Sequence, residues 1–311
     1  MGILLRPSRK AAVFLNLLVA GLASGLSLSG DSVSARNITV AAGEVVHVVS
    51  AGSGTPVVLV PGLLGGAFGY RKLVGPLEGL GYRVIIIEPL GTGTSAYPKG
   101  VDYSLTAQAD RIASVLDTLG IRHALVVAHS VGVSMALRLT YRRPDLVRGL
   151  LAIDGGPVET AATPGLQHAM KFAVFLKLFM GQGTLRKKVH HGMIENSGDT
   201  SWVSDSVVRG YTAGPGEDLH RTIDALRGMA KSHEAELLRN HLVQVRVPVV
   251  LLVGRVPHPS AVTPDEITQL KAGIRNFAVD SVAGSGQFIH EEQPDVVVTA
   301  VTKLDGDATS S

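Results

Sequence analysis

The sequence predicts an α/β fold: a mostly parallel sheet of eight strands, helices on both faces, and a helical insertion that caps one end. Three observations predict it. Short continuous apolar runs alternate with amphipathic stretches of about 10–15 residues, the pattern of βαβ units. That rhythm stops over residues 157–240, where only helical periodicity remains. It then resumes to the end of the chain.

Asn37 to Ala51 reads as two short strands joined at Gly43, the second carrying Val45, Val46, Val48 and Val49. Pro56 to Val60 is a buried strand, because both faces of a parallel sheet are covered and its strands need not alternate. It empties into Pro61-Gly62-Leu63-Leu64-Gly65-Gly66. A helix over Tyr70 to Leu80 is stopped by Gly81. Tyr82 to Glu88 is the next strand. Ser104 N-caps a helix over Leu105 to Leu119, which Gly120 closes. Ala124 to His129 is a strand, Val133 to Arg142 a helix and Val147 to Asp154 a strand. Within the insertion, helical periodicity covers Leu166 to Met180, Val207 to Tyr211 and Leu219 to Leu238. The last elements are strands over Val247 to Gly254 and Asn276 to Val282, and helices over Pro264 to Lys271 and Pro294 to Lys303. Residues 37–156 and 241–304 thus form the core, 157–240 a lid, and 305–311 a polar, disordered tail.

Residues 1–35 belong to targeting and not to the fold. Arg6, Arg9 and Lys10 precede an apolar run from Ala11 to Leu28, and Val33-Ser34-Ala35 offers small residues for cleavage. This is a secretory signal peptide cut near Ala35, giving a periplasmic or secreted chain; the alternative is an uncleaved membrane anchor. No second run of that kind exists, so the chain is not polytopic. Taking those three cations from 29 basic residues, and Asp31 from 26 acidic ones, leaves 26 against 25. A near-neutral body with 5% aromatic residues excludes a basic nucleic-acid platform. There are no cysteines, so an exported chain depends on its core and not on disulfides, and a lipid-modified cysteine is excluded.

The chemistry centres on Ala128-His129-Ser130-Val131-Gly132. A strand feeds a helix through one tight turn with Ser130 at its apex, the nucleophile-elbow pattern G-x-S-x-G with Ala128 for the first glycine. Three further stretches fall in order around it: Leu59-Val60-Pro61-Gly62-Leu63, Glu88-Pro89-Leu90-Gly91-Thr92-Gly93-Thr94-Ser95, and Gly284-Ser285-Gly286-Gln287-Phe288-Ile289-His290. Together they make residues 37–304 resemble the α/β-hydrolase fold family, in its esterase, lipase and haloperoxidase-like group. The resemblance implies that Ser130 is the nucleophile and that the backbone N–H groups of Leu63 and Val131 form the oxyanion hole.

The same resemblance exposes two departures. Pro257 stands about where the family places its acid, and Gln287 where it places its histidine. A glutamine amide has no basic nitrogen, so it cannot take the serine proton. Substitutes are His290, three residues on, and His258, beside the missing acid. Their rival readings are a packed or solvent-facing histidine and an exposed loop histidine. Asp154, ending the strand after the elbow, is the candidate acid; its rival reading is a turn cap. His129 is read as packing. His190 and His191 lack partners at metal-site spacing, so no metal or cofactor is expected. Two functions remain open. One is an exported hydrolase of a carboxylic ester or related acyl bond, with an atypical triad. The other is a catalytically impaired relative that binds a small apolar ligand or partner. Met170, Phe172, Phe175, Phe179, Trp202 and Tyr211 are candidate lid residues for an apolar pocket. Contact with a membrane is expected only through the N-terminal segment, if uncleaved.

Overall fold

A computed structural model describes residues 33–162, 164–173, 177 and 181–309. The N-terminal segment before residue 33 lies outside it, as do Phe175, Phe179, Ser310 and Ser311. Eight strands form one sheet in the order β1-β2-β4-β3-β5-β6-β7-β8. They are β1 (Ser34–Ala41), β2 (Glu44–Ala51), β3 (Thr55–Val60), β4 (Tyr82–Glu88), β5 (Ala124–His129), β6 (Val147–Ile153), β7 (Val249–Gly254) and β8 (Phe277–Val282). β2 runs antiparallel to β1 and β4, and the remaining pairs are parallel. β1 begins at Ser34, paired with Ser50, so the strand takes in two residues that the sequence assigns to the leader.

Between the strands run α1 (Arg71–Gly79), α2 (Leu105–Thr118) and α3 (Val131–Arg142). Ser104 caps α2 as its sequence predicts, accepting the Ala107 N–H at 3.1 Å. Alternate residues of each strand face opposite ways. Val58, Val60, Val126 and Ala128 pack on α2 and α3, whereas Val57, Leu59, Leu125 and Val127 pack on α1 and the last helix. Fully burying a leucine such as Leu73 or Leu77 of α1 contributes about 1.5–3 kcal/mol.

The insertion holds α4 (Pro164–Lys171), α5 (Gln182–Glu195), α6 (Asp205–Tyr211), α7 (Ala213–Glu217) and α8 (Leu219–Lys231). It differs from expectation in three ways, the first being that the short α7 was not expected. α5 is an additional helix, and α8 stops at Lys231 and not Leu238. After β7 come α9 (Pro264–Gly273), the short α10 (Ile289–Glu292) and α11 (Pro294–Thr309). The disordered tail is corrected for residues 305–309: they extend α11, and Asp305 binds Arg148 and accepts the Tyr82 hydroxyl at 2.9 Å.

Candidate active site

β5 delivers Ser130 at its carboxyl end, and α3 starts on the next residue. Ser130 adopts φ 54° and ψ −128°, a strained conformation for a residue with a side chain. The turn is held because the Ser130 N–H donates to Ile153 O at 3.0 Å and Ser130 O accepts the Val133 N–H at 3.0 Å. The close approach needs two glycines. A Cβ on Gly132 would lie 2.7 Å from Val60 O, and one on Gly155 would lie 2.2 Å from Ser130 O.

The facing loop, after β3, is anchored by a buried carboxylate. Glu88, at the end of β4, accepts the Ala67 N–H at 2.7 Å, the Thr94 N–H at 2.6 Å and the Thr94 hydroxyl at 2.8 Å. Gly62 is packed so closely that a Cβ there would lie 3.3 Å from Ser130 Cβ. Leu63 and Val131 both line the cavity above Ser130. Neither of their backbone N–H groups donates to another residue among the described hydrogen bonds. Two unspent donors beside a serine oxygen suit the charge of a tetrahedral intermediate.

The cavity measures about 460 Å³, and Ser130, Asp154, Glu266 and Gln287 share its wall with Leu63, Leu64, Val158, Ala161, Val262 and Phe288. The four described lid residues expected to line it do not. Trp202 and Tyr211 pack with Phe68 and Phe288 in a cluster of their own, and Met170 packs on Ile223. Phe172 is exposed. The Tyr211 hydroxyl donates to Glu291 at 2.9 Å, and Glu291 also pairs with Arg71, so this lid residue is spent on holding α6 to the core.

Gln287 occupies the place beside the serine. Its Nε2 donates to Ser130 Oγ at 3.4 Å, and its carbonyl accepts from His129 Nε2 at 3.1 Å. His129 is thus a packing residue whose N–H fixes the Gln287 loop. Burial holds its pKa down at about 4, against the bond to Gln287, which favours the charged form.

Two histidines read as base candidates are both buried. His290, on α10, packs its ring 4.5 Å from that of His129 and 5.3 Å from that of Tyr70. It makes no hydrogen bond to Ser130. Burial, with positive charge nearby, pushes its pKa well below the ordinary histidine value. His258 is corrected from an exposed loop histidine: its side chain is fully covered, and Nε2 lies 3.0 Å from Asp154 Oδ2. The approach is oblique, and neither ring nitrogen of His258 makes a directed hydrogen bond. Asp154 is more than a turn cap. Its backbone is strained at φ 41°, and burial raises its carboxyl pKa, opposed by His258. Pro257 is exposed. The structure therefore joins Ser130 to Gln287 and Asp154 to His258 as two neighbouring pairs. His190 and His191 are exposed, and among the described residues no cluster suits a metal ion.

Comparison with known proteins agrees with this geometry. Residues 55–197 match the family model described as alpha/beta hydrolase fold. The chain is 23% identical over 244 residues to the uncharacterized hydrolase YugF of Bacillus subtilis (strain 168), covering 77% of this chain and 86% of that one. It is 24% identical over 262 residues to the sn-1-specific diacylglycerol lipase ABHD11 of Mus musculus, covering 80% of each. Among solved structures, the epoxide hydrolase CorEH superposes with a TM-score of 0.72 at 18% identity, covering 88% of this chain and 99% of that one. These relatives are hydrolases, which supports hydrolase activity here. With its eight-stranded sheet, elbow and helical insertion, the chain has the α/β-hydrolase fold.

Proposed function

We propose that this chain is an exported hydrolase of a carboxylic ester or related acyl bond, with Ser130 as nucleophile and Asp154–His258 as its acid–base pair. The observation that carries the reading is Ser130 itself: strained at an elbow, open to an apolar cavity, and beside two unspent N–H donors. Ser130 Oγ attacks the acyl carbon, and the oxyanion that forms takes the Leu63 and Val131 N–H groups. The serine proton passes to His258, whose imidazolium Asp154 stabilises, and then to the departing alkoxide. Water cleaves the acyl-enzyme by the same route in reverse. For this transfer the Gln287 side chain must withdraw from Ser130, so the resting enzyme is slow. His290 is not part of the machinery in this reading.

A second reading is favoured by one specific contact. The donation from Gln287 Nε2 to Ser130 Oγ fills the position of a base with a group that cannot act as one. A protein so arranged binds an apolar carbonyl ligand without turnover.

Covalent labelling by a fluorophosphonate separates the two. The hydrolase reading expects labelling of the purified chain that vanishes in Ser130→Ala and falls at least about 100-fold in His258→Asn, the span of general-base assistance. An unlabelled, folded parent chain excludes the hydrolase and leaves the binding protein.

A further inference from the structure

We propose that the exposed face of α5, in the insertion, is a docking surface for an anionic lipid bilayer. α5 buries one stripe only: Val189 and Met193, with Leu185 half-buried, pack onto Trp202, Val208 and Tyr211. These are spaced four residues apart, one face of a helix. The rest of the helix surface presents Arg186, Lys187, Lys188, His190 and His191 to solvent, with Ile194 exposed near the C-terminal end. Arg209 of α6 stands beside it, and Arg186, Lys187, His190, Asp205 and Arg209 share a groove of about 410 Å³.

This charge is unspent. On α2 and α3, cations are matched: Arg142 pairs with Asp110, and Arg143 with Asp117 and Asp145. Among the described residues, Arg186, Lys187, Lys188 and Arg209 form no salt bridge, and the one ion pair on the face is His191–Glu195 at 3.2 Å. Cations on one turn and an exposed isoleucine about two turns further along the same helix match a headgroup layer: the phosphates meet the charges, and the aliphatic side chain enters the acyl boundary. A nucleic acid finds no aromatic platform here.

The face is also mechanically joined to the active site. α5 ends at Glu195, and the next residue accepts the Gln287 N–H on its carbonyl at 2.7 Å, while its side-chain oxygen accepts the Ser260 N–H at 3.1 Å. A bilayer bound to α5 therefore rests on the segment that holds the Gln287 loop. The docking claim itself does not depend on whether Ser130 is a nucleophile.

The test is partition of the full chain onto vesicles of phosphatidylglycerol mixed with phosphatidylcholine, and of phosphatidylcholine alone. R186A/K187A/K188A is compared with the parent. Both carry the apolar N-terminal segment, so its contribution cancels. Cations near an anionic surface each contribute roughly a fivefold increase in binding, so the triple variant is expected to partition about 100-fold less onto anionic vesicles and unchanged onto neutral ones. Ile194→Ser is expected to weaken both, by a few fold. K271A/R275A, which alters exposed cations elsewhere, controls for overall charge. Partition of the triple variant within threefold of the parent overturns the proposal. So does equal loss in the control pair, or parent binding to soluble heparin that anionic vesicles do not compete away.

Discussion

At the scale of single residues, the site turns on what Gln287 can and cannot do. Its amide reaches Ser130 Oγ and spends the oxygen's lone pair on an N–H donor, so the serine hydroxyl gains no basicity from it. An imidazole at the same position has a basic nitrogen at nearly the same reach. Gln287→His is therefore expected to raise fluorophosphonate labelling at least about 100-fold, the usual span of general-base assistance. The gain should follow a titration between pH 5 and 8, which the parent lacks at that position. A variant that folds and gains nothing would show that labelling at the elbow is not limited by the lack of an imidazole at position 287. This departure was legible in the sequence, because Gln287 stands at a fixed place in a motif. The pairing of His258 with Asp154 was legible only as one of two alternatives, beside His290. His258 sits between Pro257 and Pro259 in a stretch that reads as surface loop, and only the packing of that loop against the end of β6 covers its ring.

At the scale of elements, buried strands were the easiest to read and exposed helices the hardest. β3, β4, β5 and β6 are covered on both faces, so their apolar runs are continuous and their bounds fall within a residue or two of expectation. α5 escaped notice because it fully buries only Val189 and Met193 and carries few other apolar residues, Leu185 and Ile194; a helix so lightly buried leaves little periodicity to detect. The tail read as disordered from its polar composition, yet Leu304 packs on the sheet and carries α11 to Thr309. One connection between elements decides the site: Glu88, from β4, holds the loop after β3. Its two oxygens take three donors in a buried place. Glu88→Gln keeps one accepting oxygen and turns an NH₂ toward donors, stranding at least one of them. A stranded buried donor costs about 1–3 kcal/mol. The variant is expected to lose about 2–4 kcal/mol in urea denaturation, and to label more slowly at Ser130 because the oxyanion loop is released. A stability equal to the parent's would mean that the loop is held by its backbone alone.

At the scale of the whole molecule, the two halves of the sheet meet over a buried imidazole layer, and this makes the fold sensitive to acid. His129 from β5 and His290 from α10 meet edge-on between the elbow and the last helices, buried and neutral. Unfolded, each takes a proton near pH 6.5. Folded, His129 does so only near pH 4, and His290 well below its ordinary value, because desolvation penalises the charged ring. The unfolded state therefore binds more protons throughout this window. Their contribution to stability is complete above pH 6.5 and drains as pH falls toward the folded values, by up to about 1.4 kcal/mol per pH unit for each histidine. Asp154 works the other way. Its folded pKa is raised by burial, so it takes its proton before the unfolded chain does and returns part of the loss. From pH 7 to pH 5 the net loss is expected to be roughly 3 kcal/mol, read as a falling urea midpoint at constant slope. His290→Phe, which fills the same space without a titratable group, should halve that loss while leaving the pH 7 midpoint nearly unchanged, since His290 Nδ1 has no partner to forfeit. If the variant's midpoint falls with pH as steeply as the parent's, the acid sensitivity originates outside this layer.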